Sequence, residues 1–99
     1  MAETNEIKPA EAIIPCRISR FIWRKMGVDT VLFNPENNKT YILNQTKTTI
    51  WEMCDGVHSI EDIIDSVAER FEVGNVDILQ DVMEFIANGK RDGYIVISE

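Results

Sequence analysis

The feature that most constrains the fold is a change of hydrophobic period near Leu43. Before it, apolar and polar residues alternate, as on a half-buried strand; after it, apolar residues recur at three and four, as on one face of a helix. From Arg17 onward, Ile18, Arg20, Ile22 and Arg24 fall on one face and Ser19, Phe21 and Trp23 on the other, which predicts a strand. Lys25-Met26-Gly27 can turn the chain, and Val28 to Phe33 carries the β-branched and aromatic residues favoured in a second strand. Asn34-Pro35-Glu36-Asn37-Asn38 is a turn cluster, after which Lys39 to Leu43 returns as a third strand.

Three helices follow. Asn44 or Thr46 can cap the first, in which Ile50, Trp51 and Cys54 share a face, and Gly56 supplies a left-handed terminator. Ser59 and Asp62 form a capping-box pattern for the second, whose stripe is Ile60, Ile63, Ile64, Val67 and Phe71 and whose end is expected at Gly74. Asn75 is expected to cap the third, which runs to about Asp92 before Gly93. Tyr94 to Ile97 is apolar and β-prone; it either returns to the sheet or covers the core.

The third helix carries two apolar stripes. One is Ile78, Val82, Phe85 and Gly89; the other is Val76, Leu79, Met83 and Ile86. A helix apolar over so much of its circumference is either deeply buried or turned toward a second apolar partner.

Ninety-nine residues with 44% hydrophobic content suffice for one core. Met1 to Pro15, broken by Pro9 and Pro15, is expected as a flexible tail, leaving residues 16–99 as the domain. A formal charge of −7 opposes a nucleic-acid partner, because phosphate binding draws on Lys and Arg. Nothing approaches the roughly 18 apolar residues of a membrane span, and no secretory signal opens the chain, so a cytoplasmic location is expected. Cys16 and Cys54 are expected as two free thiols.

Catalytic chemistry finds little support. His58 is the only histidine, the cysteines lack metal-ligand spacing, and no glycine-rich loop precedes a helix as a phosphate cradle. No metal and no cofactor are expected. Glu61, Asp62, Asp65, Asp77, Asp81 and Glu84 are expected as solvating residues on exposed helix faces or near helix starts. Lys39, Lys90 and Arg91 serve solubility and the helix dipole, or else flank a groove that attracts acidic side chains.

The succession Leu43-Asn44-Gln45-Thr46, Ile50-Trp51, Asp55-Gly56, Ser59, Asp62-Ile63, Phe71, Asp81-Val82 and Phe85-Ile86 resembles the PqqD-like family. These are small domains of ribosomal peptide modification, named after the chaperone of pyrroloquinoline quinone synthesis. The resemblance spans about Arg17 to Ile97. It implies an α+β fold, a three-stranded antiparallel sheet followed by three helices in a winged helix-turn-helix-like arrangement.

It also implies a non-enzymatic role. The leader of a precursor peptide would add as a strand to the edge Lys39, Thr40, Tyr41, Ile42 and Leu43, facing Leu79, Met83, Ile86 and Lys90 on the third helix, and would be presented to a maturase such as a radical S-adenosylmethionine enzyme. Leu43, Asn44, Ile50, Trp51, Asp55, Gly56, Val82 and Phe85 would be structural. Two other readings share parts of this pattern: an interaction subunit that binds an enzyme without peptide, and a winged-helix DNA-binding protein. The acidic second helix, with Glu61, Asp62, Asp65 and Glu69, opposes the latter.

Overall fold

The change of period near Leu43 is a change of element type in the computed structural model, which describes residues 13–98. Ahead of it stand β1 (Ile14–Arg17), β2 (Ile22–Met26), β3 (Asp29–Asn34) and β4 (Lys39–Leu43). Behind it stand α1 (Gln45–Met53), α2 (Ile60–Phe71), α3 (Asn75–Asp92) and β5 (Ile95–Ser98).

Local signals build the central sheet, which runs antiparallel in the order β2-β3-β4. Gly27, at φ 66°, opens a two-residue loop between the paired residues Met26 and Asp29, a position where such hairpins require a positive φ. In the next turn the Asn34 side chain accepts from Glu36 N at 3.0 Å, Asn37 accepts from Lys39 N at 3.0 Å, and Asn38 takes the left-handed conformation. The register then sets Val31 beside Ile42 and Leu32 beside Tyr41. Leu32 and Leu43 point into the core, whereas Ile42 points out and is 64% exposed.

The expected single strand through Arg17 to Arg24 is two strands. β1 pairs with β5, from Ile14 opposite Ser98 to Arg17 opposite Ile95, in a two-stranded sheet of its own. The chain then turns, with Phe21 N donating to Ile18 O, and enters β2. Period-two alternation continues across this bend, so it gives no sign of it. Ile13, Ile14 and Pro15, assigned to the tail by sequence, thus belong to the folded unit; the rest of that segment, residues 1–12, lies outside the described residues.

Side-chain caps fix the starts of α1 and α2. The Asn44 carboxamide accepts from Lys47 N at 2.9 Å, and Ser59 and Asp62 form a reciprocal capping box. The expected end of α2 at Gly74 is corrected: Glu72 takes the left-handed conformation and bonds back to Ala68 and Glu69, so the helix stops earlier. Gly74 is instead the N-cap of α3, and Asn75, expected as that cap, is the first helical residue and donates to Asp65.

Trp51, Ile50, Ile63, Val67, Val82, Phe85, Leu32 and Tyr94 form the centre of the core. On α3 the stripe Ile78, Val82, Phe85 and Gly89 is buried with Ile86, while Val76, Leu79 and Met83 remain exposed. Gly89 permits the approach of β5: a Cβ there would lie 2.8 Å from Ile95 Cβ and 3.0 Å from Tyr94 Cε1.

Candidate functional site

Among the described residues, β4 has β3 on one side and no strand on the other. Its outer backbone groups are therefore open to pairing. The strand is held from behind: Tyr41 packs on Tyr94 with ring centroids 5.2 Å apart, and Leu43 is buried. Its exit into α1 is fixed by the Thr48 hydroxyl, 3.1 Å from Leu43 O, which it meets as donor, and 2.9 Å from the Thr30 hydroxyl. Arg17 braces the other end of α1. Its guanidinium donates to Trp51 O and Glu52 O at 2.9 Å each, satisfying carbonyls left open at the helix terminus, and lies against the rings of Trp23 and Trp51.

Beyond the end of β4, a cleft of about 120 Å³ separates the start of α1 from α3. Asn44, Thr46 and Lys47 form one wall; Asp81, Glu84, Phe85 and Asn88 form the other. Asp81, Glu84 and Asn88 lie beside the buried stripe on one flank of the helix, while Phe85 belongs to the stripe itself. Leu79, Met83 and Lys90 lie on the opposite flank, since each residue advances by about 100°.

Lys39, Thr40 and Ile42 are thus exposed along the edge, Tyr41 is half-buried, and Leu43 is in the core. On α3, Leu79 and Met83 are 46% and 47% exposed and Lys90 is exposed, but Ile86 is buried. Leu79, Met83 and Lys90 are not among the residues that line this cleft. The cleft brings Asp81, Glu84 and Asn88 to the start of α1, and sequence reasoning had placed them on no site. Their signal was available in their spacing of three and four, one step around the helix from Val82, Phe85 and Gly89. The charge is correspondingly mixed, with Asp81 and Glu84 sharing the cleft with Lys47, while Arg91 is paired with Asp92.

Residues 29–95 match the family described as Coenzyme PQQ synthesis protein D (PqqD). The chain belongs to the PqqD family. A "PqqA binding protein" of Methylococcus capsulatus is 28% identical to this PqqD-family chain over 76 residues, covering 77% of each. Among solved structures, TbiB1 in complex with the TbiA(beta) leader peptide superposes with a TM-score of 0.73 at 14% identity, covering 81% of this chain and 93% of that one. The two share the same α+β fold.

Cys16 and Cys54 are free thiols, and burial pushes the Cys54 thiol up to about 12, so it stays protonated. Burial likewise pushes the Tyr94 hydroxyl up to about 12. Asp55 moves the other way: burial raises it, but hydrogen bonds from Val57 N, His58 N and the His58 ring outweigh that and hold the carboxyl below the usual range. Among the described residues, no group of three His, Cys, Asp or Glu side chains could hold a metal ion, and no helix is long and apolar enough to cross a membrane.

Proposed function

We propose that this chain is a non-enzymatic adaptor that binds the leader segment of a ribosomally made precursor peptide and presents it to a modifying enzyme, a maturase such as a radical S-adenosylmethionine enzyme, in the cytoplasm. The observation that carries the reading is the edge of β4, Lys39–Leu43, which no described strand covers, in a chain of the PqqD family. The relative named as a PqqA-binding protein and the leader peptide in the TbiB1 complex support it.

The physical route is strand addition. An extended peptide gains backbone hydrogen bonds along the edge, and its alternate side chains fall on opposite faces. One set lies on the core side, beside Tyr41. The other set lies on the outer side, beside Thr40 and Ile42.

Titration of isotope-labelled protein with the cognate leader, followed by amide shifts, tests the reading. The largest shifts are expected on Lys39–Leu43 and on residues 81–88. Shifts concentrated on Ser59 to Phe71, or on the other free edge at Ile22–Met26, would rule out addition at β4.

A further inference from the structure

Among the described residues the central sheet has two open edges, and they are not alike. β2 carries Arg24 and Lys25 side by side in its middle, and charge in an edge strand discourages further pairing. Lys25 is held to α1, its Nζ 3.0 Å from Glu52, and Trp23 stands edge-on to Trp51 with centroids 5.8 Å apart, so that edge is flanked by side chains already engaged. β4 has a single charge, Lys39, at its first residue. Its middle is Thr40, Tyr41 and Ile42, which favour strands and carry no charge to keep a partner away.

Ile42 is the anomaly on this edge. The alternation of β4 turns it, with Thr40, to the side away from the core, and it is 64% exposed. Its neighbours there are Val31, directly opposite on β3, and Phe33, opposite Thr40, both half-buried. They stand on the β3 side of the edge strand; the other side is where an added strand would lie. In an antiparallel sheet with one face to water, the residue at such a position is ordinarily polar.

We propose that Ile42 selects the leader: the leader residue that pairs with it is apolar, β-branched or aromatic, although it sits on the water side of the sheet. The inference rests on addition of the leader to β4. Residues directly opposite on neighbouring strands have Cβ atoms about 4.5 to 5.5 Å apart, close enough for an apolar side chain to cover Ile42, whereas a carboxylate there loses water and gains no partner. Successive leader residues alternate, so the rule reaches every second one. The residue beside Tyr41 falls on the core side, and the next outward residue pairs with Thr40, where threonine or another β-branched residue fits. One exposed isoleucine thereby gives the edge a second criterion, on the face opposite to the core.

The test uses the full chain and synthetic peptides of the cognate leader. Cross-strand nuclear Overhauser contacts in the labelled complex identify the leader residue opposite Ile42, which is then varied to Val, Ser and Asp. The Val peptide is expected to bind about fivefold more tightly than the Ser peptide, and the Asp peptide more weakly still. Ile42→Thr keeps a β-branched residue at an exposed position, so the strand stands. In that variant the preference for Val over Ser is expected to shrink to under about twofold, a coupling that strand propensity alone does not give. Val28→Thr, exposed in the turn between β2 and β3, leaves the preference as it is.

Equal affinity of the Val and Ser peptides for the unaltered chain, or a preference that persists undiminished in Ile42→Thr, overturns the proposal while leader addition to β4 stands. A charged residue or glycine opposite Ile42 in the natural leader does the same. Leader contacts on Ile22–Met26, or on no strand, sink addition at β4 and the proposal with it; the cross-strand contacts report this independently of any affinity.

Discussion

Tyr41 and Tyr94 tie the strand with the free edge to the far end of the chain, their rings inclined at 59° with centroids 5.2 Å apart. Tyr94 also meets Phe21, Trp51 and Phe85 at 5.8 to 5.9 Å, so one side chain joins both sheets to α1 and α3. Tyr94→Ala is expected to cost about 3 to 5 kcal/mol, as for other large buried aromatic residues. Denaturant unfolding followed by tryptophan fluorescence measures it; a loss below about 1 kcal/mol would show that the ring cluster is not what holds the elements together.

Strand addition makes a backbone demand on β4. Ile42→Pro removes a backbone donor and resists regular pairing, so leader affinity is expected to fall about tenfold. Lys39→Glu is expected to cost under about 1 kcal/mol, because an exposed charge is well screened. Calorimetric titration of the folded variants compares them. Should Ile42→Pro bind as tightly as the unaltered chain, the edge is not the site.

The close contact between α3 and β5 leaves no room at Gly89. Gly89→Ala gains up to about 1 kcal/mol in helix propensity but forces Ile95 and Tyr94 aside, which in a packed core costs about 1 to 3 kcal/mol. A lower thermal midpoint is expected. An unchanged or higher midpoint would mean that β5 gives way freely.

Asp55 supplies a pH dependence. Its carboxylate accepts from Val57 N at 2.9 Å, from His58 N at 3.1 Å and from His58 Nδ1 at 2.9 Å, and its folded pKa is lowered. A lowered carboxyl pKa adds stability that is fully present above the unfolded value of about 4 and is lost as pH falls through the folded value. Asp55→Asn is therefore expected to be less stable than the unaltered chain at neutral pH, with the difference shrinking in acid. Urea unfolding at pH 7 and pH 3 compares the two, and a difference that persists undiminished in acid counts against this role.

What was legible in the sequence was local. Asn44, Ser59 with Asp62, Gly27 and the Asn34 to Asn38 turn act within a few residues of themselves, and each stands in the structure as its chemistry predicts. The division of β1 from β2 was hidden because the partner of β1 lies at the other end of the chain, and no residue between Arg17 and Ile22 is a strong breaker. Glu72 ended α2 in a conformation costly for a residue with a side chain, ahead of the glycine that sequence favours for that job. On α3 the two stripes were visible but their surroundings were not. Which flank lines the cleft at the start of α1 depends on how the helix is rolled in the core, and there it is the flank of Asp81, Glu84 and Asn88.

The pairing of Ile14 with Ser98 sets the two ends of the folded unit side by side. Chain can therefore enter and leave it at a single point on its surface, which is the geometry a domain needs to be spliced into a loop of a larger protein or to be circularly permuted with a short connector. The rung that ties the ends belongs to the two-stranded sheet β1-β5 and not to the sheet that carries β4, so such a graft leaves the pairing of β4 untouched.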